Sequence, residues 1–240
     1  MENLQPKILI VTPTYERIRR ILYIKRLIKI FRNIRNILWI IVEDADRACP
    51  EVERLLKKSG IAYIYLNTGP TSDFGNLQRD FALRYIRDRN LEGIVYLADD
   101  DNYYDEKLFD EIRKTKNVSV FPVGNLGPHG IEKPIVQGGK ILEWDAGWKE
   151  RKFPVDMAGF AFNTRLLKPL SDPVWSVRKV RGGETEFLEK IVNSKDELET
   201  LCDNCKECLV VHNKPLGWNM ACALALRRIK KYYQDFLSKN

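Results

Sequence analysis

Three aspartates stand side by side near the middle of the chain, at Asp99, Asp100 and Asp101, and Asn102 follows them. Adjacent carboxylates repel one another, and a strand end or a turn needs only one of them. Hard divalent cations such as Mg²⁺ and Mn²⁺ prefer carboxylate oxygens, and phosphate oxygens often complete their shell. The run therefore predicts a cation that offsets the charge on a leaving nucleoside diphosphate. A solvated acidic turn that caps a helix over 104–113 is the alternative.

Other side chains supply what recognition of a nucleotide needs. Arg79 would place a cation between an aspartate and a sugar phosphate, although a surface arginine is the commoner case. Tyr15 offers a flat ring to a base, and Asp44 offers the base a hydrogen-bond acceptor. The sequence contains neither a Walker A motif nor G-x-G-x-x-G, so kinase-like and dinucleotide-dependent functions lack support.

The elements that must position these residues follow from the hydrophobic runs and the turn residues between them. Buried strands are predicted at Lys7 to Val11, Ile37 to Val42, Ile61 to Leu66 and Gly93 to Leu97. Helices are predicted from the first strand to about Leu27, at Pro50 to Ser59 and at Leu77 to Arg89. This alternation predicts a parallel α/β sheet, and ligands bind such sheets at the carboxyl ends of their strands. Because Tyr15, Asp44 and the aspartates follow three of these strands, we expect them to converge.

The pattern changes after Asn117, where short strands, turns and tryptophans indicate a mixed α+β half. Met220 to Leu237 reads as a basic amphipathic helix. We therefore predict one catalytic domain over 1–240, with a nucleotide-sugar half at 1–116, an acceptor half at 117–215 and a C-terminal helix at 216–240. No repeat or long linker separates the halves.

Composition narrows the function less than the motifs do. The chain has 240 residues and a formal charge of +7, which would attract phosphates, polyanions or anionic lipid without choosing among them. No run of about 20 uncharged apolar residues predicts a membrane segment, and no signal peptide is visible. The isoleucine-rich stretch from Ile18 to Ile41 is interrupted by basic residues, which favours a helix packed on a sheet over one bound to a membrane surface.

Several segments, in one order, resemble the animal β-1,3-glucuronosyltransferases and cover about residues 7 to 214. The resemblance rests on Thr12-Pro13-Thr14-Tyr15-Glu16-Arg17, Trp39-Ile40-Ile41-Val42-Glu43-Asp44-Ala45, Gln78-Arg79-Asp80, Ala98-Asp99-Asp100-Asp101-Asn102, Val118-Ser119-Val120-Phe121-Pro122-Val123, Asp156-Met157-Ala158-Gly159-Phe160-Ala161 and Gly182-Gly183-Glu184-Thr185-Glu186. It implies an α/β fold of the GT-A type, with a Rossmann-like nucleotide-binding half around a mixed sheet and an α+β acceptor-binding half.

The resemblance also implies a reaction: the inverting, Mn²⁺-dependent transfer of glucuronic acid from UDP-glucuronate to the 3-hydroxyl of a terminal β-galactose. The acceptor would be a glycan of a proteoglycan or glycoprotein. No nucleic acid takes part. The resemblance implies a homodimer, and it implies the Golgi lumen if the chain derives from an anchored parent, since no anchor is visible in it.

Roles at the donor are carried over from the matching residues. Tyr15 would stack on uracil, Asp44 would hydrogen-bond it, Asp100 would hold the ribose and Asp101 would bind the metal. The donor sugar and the diphosphate would be contacted by Arg79, Asp99 and His212. For His212 the alternative is a loop or core histidine.

Roles at the acceptor follow in the same way. Glu186 would be the base that takes the proton from the acceptor hydroxyl, although a helix-start glutamate is the alternative. The galactose site would be lined by Glu132, Arg151 and Asp156, with Trp148 as a platform for a sugar ring. For Asp156 the alternative is a turn carboxylate.

The sequence departs from the family at a few positions. Phe74 replaces a basic residue, Lys214 lies where an arginine is missing, and the tail from Leu216 has no counterpart. These departures leave open a catalytically weak relative that binds UDP or a glycan, and the charge of +7 leaves open a polyanion-binding protein. A further alternative is a zinc site formed by Cys202, Cys205, Cys208 and His212. Another is a disulfide among these three cysteines, or from one of them to Cys49 or Cys222.

Overall fold

The structure, a computed structural model, describes residues 5–71, 75–177 and 182–212. Its helices are α1 (Arg20–Phe31), α2 (Pro50–Ser59), α3 (Asn76–Asp88), α4 (Lys107–Ile112) and α5 (Gly183–Ile191). Its strands are β1 (Ile8–Tyr15), β2 (Ile37–Asp44), β3 (Tyr63–Asn67), β4 (Ile94–Leu97), β5 (Tyr103–Tyr104), β6 (Val118–Val120), β7 (Val123–Gly124), β8 (Ile131–Gln137), β9 (Lys140–Asp145), β10 (Phe160–Asn163), β11 (Glu199–Thr200) and β12 (Val210–Val211).

The strands form two sheets. The larger has the order β11-β6-β10-β4-β1-β2-β3, and its first four strands in sequence run parallel, as the alternation of strands and helices predicted. Strand β10 enters antiparallel to both β4 and β6, so the sheet is mixed. The smaller sheet has the order β5-β12-β7-β8-β9. The α/β class is confirmed, and the division at residue 117 stays a prediction.

Alternate residues of the central strand β1 enter opposite cores, as the period of two in a strand requires. Ile8 and Ile10 join a cluster that α1, α2 and α4 cover, whereas Leu9 and Val11 join a cluster that α3 and α5 cover. Both faces of the larger sheet are therefore buried, which leaves its carboxyl edge as the place where polar side chains meet.

Strand β1 is longer than expected, because it runs through Thr12-Pro13-Thr14 to Tyr15. It pairs with β2 along its whole length, up to Tyr15 opposite Asp44, while β4 pairs only up to Val11. Pro13, which has no N–H to donate, thus lies where β1 has a neighbour on one side only. The pairing sets Tyr15 and Asp44 side by side at the carboxyl edge.

Helix α1 also runs further than the sequence predicted, to Phe31 instead of about Leu27. Leu27, Ile30 and Phe31 are all buried at helical spacing, so the apolar face extends the helix. The predicted helix at Met220 to Leu237, together with Phe74, Lys214 and Cys222, lies outside the described residues.

Candidate active site

One cavity lies at the carboxyl edge of the larger sheet, with a volume of about 580 Å³. Its lining residues come from the ends of β1, β2, β4 and β12 and from the start of α3: Pro13, Thr14, Tyr15, Arg17, Asp44, Thr71, Gly75, Gln78, Arg79, Asp99, Asp100, Asp101 and His212. Every residue predicted to bind the donor or the metal is among them. Their convergence is observed, and their individual roles stay predictions.

The three aspartates make different contacts. Asp99 accepts a hydrogen bond of 2.6 Å from Nη2 of Arg79. Asp100 is buried and accepts one of 2.7 Å from the hydroxyl of Thr14. Burial raises the pKa of Asp100 to about 6, against the lowering effects of Arg17 and Thr14. The Asp101 carboxylate is a quarter exposed and lies 3.3 Å from Nη1 of Arg17. The three adjacent carboxylates therefore differ in their partners and in their burial.

Asp101 fits a divalent cation. Its partly exposed carboxylate lines the cavity, and a positive group, the Arg17 guanidinium, already lies against it. Within the ranges that the structure describes, no group of three or more His, Cys, Asp or Glu side chains is arranged to hold a metal by itself. Diphosphate oxygens and water would therefore have to complete the shell, as is usual for Mg²⁺ and Mn²⁺.

The sequence reasoning gave Arg17 no role. This arginine pairs with Asp100 and Asp101, and its guanidinium lies 4.6 Å from the centroid of the Tyr15 ring. It therefore contacts three residues predicted to bind the nucleotide and the metal. Its position two residues after Tyr15, inside the matching segment, was the available signal.

Arg26, on α1, was also missed. Its Nη2 donates to the carbonyl oxygens of Asp100, Asp101 and Asn102 at 3.4, 2.6 and 3.1 Å. Its guanidinium also stacks on Tyr103, 4.1 Å from the ring centroid. One side chain from α1 thereby holds three consecutive carbonyls of the acidic segment.

Replacing Arg26 with glutamine is expected to weaken Mn²⁺-dependent binding of UDP about tenfold, because hydrogen bonds from a charged group contribute roughly 1.5–3 kcal/mol and about 1.4 kcal/mol is tenfold in affinity. Isothermal titration calorimetry measures the Kd for UDP in the presence of Mn²⁺. Lys25→Gln removes the same charge from an exposed neighbour and should bind UDP like wild type. Equal affinity in the two variants would contradict this role for Arg26.

Helix α3 begins at the cavity, and the residue that precedes it needs an unusual backbone conformation. Gly75 precedes the helix at φ 82°, a left-handed conformation that favours glycine. A Cβ at this position would also lie 2.9 Å from Nη1 of Arg79 and 3.1 Å from Cβ of Pro13. The glycine therefore lets Arg79, which is almost fully buried, reach across to Asp99.

His212 reaches the cavity from β12, which pairs with β5 just after the acidic segment. The backbone N–H of His212 donates to the Gly124 carbonyl at 2.9 Å, and its backbone carbonyl accepts from Nδ2 of Asn125 at 2.9 Å. Its Nδ1 is buried and has no hydrogen-bond partner among the described residues. These two backbone hydrogen bonds therefore hold the residue at the edge of the cavity.

Three of the four predicted acceptor residues meet around Arg151. Nη2 of Arg151 lies 3.3 Å from Oε1 of Glu132, and its guanidinium lies 5.2 Å from the ring centroid of Trp148, which is about half exposed. Asp156 accepts a hydrogen bond of 2.9 Å from the N–H of Ala158 and so caps a short 3-10 turn. An exposed indole beside a paired arginine and glutamate suits a sugar ring and its hydroxyls.

The side chain of Glu186 is exposed on α5, and its role as the base stays a prediction. Glu184, on the same helix, contacts this group: its Oε2 lies 3.6 Å from Nη1 of Arg151, and 15% of its side chain is exposed. That oxygen accepts no hydrogen bond within the described part of the chain. Burial and then the charge of Asp156 raise the pKa of Glu184, against the effects of Arg151 and Arg79.

Among the described residues, the cysteine alternatives find no support in the geometry. No disulfide joins Cys49, Cys202, Cys205 and Cys208 to one another. Residues 202–205 form a left-handed turn with φ between 51° and 61°. The sulfur of Cys205 points to the Val120 carbonyl at 3.5 Å and that of Cys208 to the Val210 carbonyl at 3.2 Å. Burial raises the pKa of Cys205 to about 12, which disfavours the thiolate that zinc binds.

None of the helices in the described ranges has the length and apolar character needed to cross a membrane.

Solved structures show the fold type. S. aureus TarS 1-349 in complex with UDP-GlcNAc superposes with a TM-score of 0.59 at 15% identity, over 90% of this chain and 60% of that one. The mannosyltransferase PcManGT from Pyrobaculum calidifontis, in complex with GDP-Man and Mn²⁺, gives 0.57 at 16% identity, over 93% of this chain and 61% of that one. At such identities the likeness shows the fold alone, which is of the GT-A type.

Sequence comparison is more specific. The human protein named galactosylgalactosylxylosylprotein 3-beta-glucuronosyltransferase 1 is 37% identical over 231 residues, covering 87% of this chain and 69% of the relative. The Drosophila melanogaster protein named galactosylgalactosylxylosylprotein 3-beta-glucuronosyltransferase P is 34% identical over 95% of this chain, which spans 50% of that relative. The sequence model of Glycosyltransferase family 43 matches residues 27–215. The chain therefore belongs to glycosyltransferase family 43 and is a glycosyltransferase.

Proposed function

We propose that this chain transfers glucuronic acid from UDP-glucuronate to the 3-hydroxyl of a terminal β-galactose, with Mn²⁺ and with inversion at the anomeric carbon. The observation that supports it best is the link between the two sites. Arg79 pairs with Asp99 in the cavity, and its charge also acts on Glu184 beside Arg151. The positive charge of Arg79 therefore acts both in the donor cavity and on the polar group around Arg151.

At the donor, Tyr15 stacks on the uracil ring and Asp44 accepts a hydrogen bond from the base. The Asp44 carboxylate is already oriented, because its Oδ1 accepts the backbone N–H of Thr71 at 2.6 Å. Asp100 takes the ribose hydroxyls, and the cation of Arg79 suits the carboxylate of glucuronate. Nδ1 of His212, which has no hydrogen-bond partner among the described residues, would meet the diphosphate or the donor sugar.

Asp101 would hold Mn²⁺ together with the diphosphate oxygens. When bound, the metal supplies positive charge that offsets the negative charge developing on the leaving UDP. Because UDP then leaves without being protonated, the protein needs one base and no general acid.

From its contact with Arg151 we propose Glu184 as the base, while Glu186, the base expected from the sequence, stays a prediction. Glu184 takes the proton from the 3-hydroxyl of galactose as that oxygen bonds to the anomeric carbon, and the bond from this carbon to the diphosphate oxygen breaks with its electron pair going to UDP. A raised pKa brings a carboxyl nearer to neutral pH and makes it a better proton acceptor there.

Galactose would be held by Glu132 and Arg151, with Trp148 as the platform under its ring. Asp156 orients the loop through its cap at Ala158 and adds to the negative field around Glu184. The Golgi lumen and a homodimer belong to the same proposal, as properties expected of the family.

A transfer assay tests the proposal. The protein is incubated with Mn²⁺, a phenyl β-galactoside and one donor at a time: UDP-glucuronate, UDP-glucose, UDP-galactose or UDP-GlcNAc. We expect transfer from UDP-glucuronate at least about tenfold faster than from the others, since one charged contact to the sugar contributes roughly 1.5–3 kcal/mol. The matching α-galactoside should accept no sugar.

Two other outcomes would overturn the proposal. Tight, Mn²⁺-dependent binding of UDP without transfer to any galactoside would indicate a catalytically weak relative. Steeply salt-dependent binding of a polyanion that survives Asp101→Ala, with no turnover, would indicate the polyanion-binding alternative.

A further inference from the structure

Trp175 lies between the helix that serves the donor and the helix that carries the base. It is fully buried, like the core residues around it. Its backbone N–H donates to Oδ1 of Asp80 at 3.0 Å, and its indole Nε1 donates to Oδ1 of Asn76 at 3.1 Å. Both acceptors are buried side chains in the first turns of α3. Trp175 is therefore fixed at two points, by its backbone and by its indole, to the helix that places Arg79 in the cavity.

The indole also contacts α5. A Cβ at Gly183 would lie 3.1 Å from the indole Nε1 and 3.3 Å from Cε2, so the start of this helix is in direct contact with the ring. Phe187, one turn along α5, packs at 5.3 Å between ring centroids. Glu184 directly follows Gly183, so a shift of the indole moves the first turn of α5 and the carboxylate with it.

We propose that Trp175 is a positioning residue: it sets the distance between α3, which holds Arg79 against the donor, and the first turn of α5, which presents Glu184 to the acceptor. This inference rests on the proposed function. The indole touches neither substrate, so it acts through the two helices. The bond from Nε1 to Asn76 is the part of the arrangement that fixes the angle of the ring, since apolar packing alone has no direction.

The first variant is Trp175→Phe, which keeps an apolar ring and loses the Nε1 donor. We expect kcat for glucuronate transfer to fall about tenfold, less than the roughly 100-fold that a 1 Å misplacement costs. The Kd for UDP with Mn²⁺ should stay within about twofold of wild type, because Trp175 does not line the donor cavity. Asn76→Ala should match this loss of kcat, and Asn76→Asp, which keeps an acceptor oxygen, should restore most of it.

Trp39→Phe is the matched control. Trp39 is also fully buried, and its Nε1 also donates one hydrogen bond, at 2.9 Å to Thr12. It packs on the opposite face of the sheet, away from α3 and α5. Both tryptophan variants should lower Tm, and only Trp175→Phe should lower kcat. Equal kcat values in the two would show that Trp175 is only a core residue and overturn the inference.

Hydrogen exchange gives a second readout that needs no transfer. In the wild type, UDP with Mn²⁺ should slow exchange in the first turn of α5 as well as in α3, and in Trp175→Phe it should slow exchange in α3 alone. The same protection of α5 in both proteins would contradict the role of Trp175. If the wild type transfers no sugar and α5 is still protected through Trp175, the proposed function fails and this inference stands.

Discussion

Asp101→Asn is expected to lower kcat/KM for UDP-glucuronate by about 1,000-fold. The asparagine keeps the shape of the side chain and removes the charge that a divalent cation requires. Metal stabilisation of a transition state contributes several kcal/mol, and each 1.36 kcal/mol is about tenfold in rate. Steady-state kinetics at saturating Mn²⁺ measures the loss, and titration calorimetry should show that Mn²⁺ no longer strengthens the binding of UDP.

The matched control is Asp110→Asn, an exposed aspartate on α4 that changes the net charge by the same amount. It should keep kcat/KM within about twofold of wild type, because surface substitutions rarely matter beyond ±0.5 kcal/mol. If Asp101→Asn retains metal-dependent binding of UDP, another residue holds the cation. That result would show that Asp101 is not the metal ligand, although the proposed donor site would still stand.

Glu184→Gln is expected to lower kcat about 1,000-fold, within the 10²–10⁴-fold that general base catalysis contributes. The amide cannot take the proton of the acceptor hydroxyl at neutral pH. The Kd of UDP should not change, because Glu184 lies beside Arg151 and does not line the donor cavity. Single-turnover transfer to a β-galactoside, with calorimetry of UDP binding on the same preparation, measures both quantities.

Glu186→Gln is the control that the chain itself provides, since it lies on the same helix and its side chain is exposed. It should transfer glucuronate at close to the wild-type rate. The reverse pattern, with Glu186→Gln inactive and Glu184→Gln active, would restore the assignment made from the sequence. Activity in both variants would mean that neither glutamate is the base.

The donor side of the site was predictable because parallel strands end at the same edge of their sheet. The apolar runs before Tyr15, Asp44 and Asp99 are enough to place these residues near one another. The register confirms it, with Tyr15 opposite Asp44 and β4 beside β1. The sheet order itself and the entry of β10 between β4 and β6 depend on long-range pairing, which local patterns do not encode.

Which of Glu184 and Glu186 would contact Arg151 was not predictable in the same way. Both follow Gly182-Gly183 at a helix start, and which one faces inward depends on where the helix begins and how it is rotated. The structure begins α5 at Gly183 against the indole of Trp175, which turns Glu184 toward Arg151 and Glu186 toward solvent. The same limit applies to Arg17 and Arg26, because arginines in a basic stretch look alike until their partners are known.

The most direct test of inverting glucuronate transfer is the NMR spectrum of the disaccharide formed from UDP-glucuronate and the β-galactoside. The donor is linked through an α bond, so a single displacement with Glu184 as base predicts a β-glucuronide at the 3-hydroxyl of galactose. The large coupling constant of a β anomeric proton and the downfield shift of galactose C3 would both be seen. An α-linked product, or a glucuronide at another hydroxyl, would contradict this account.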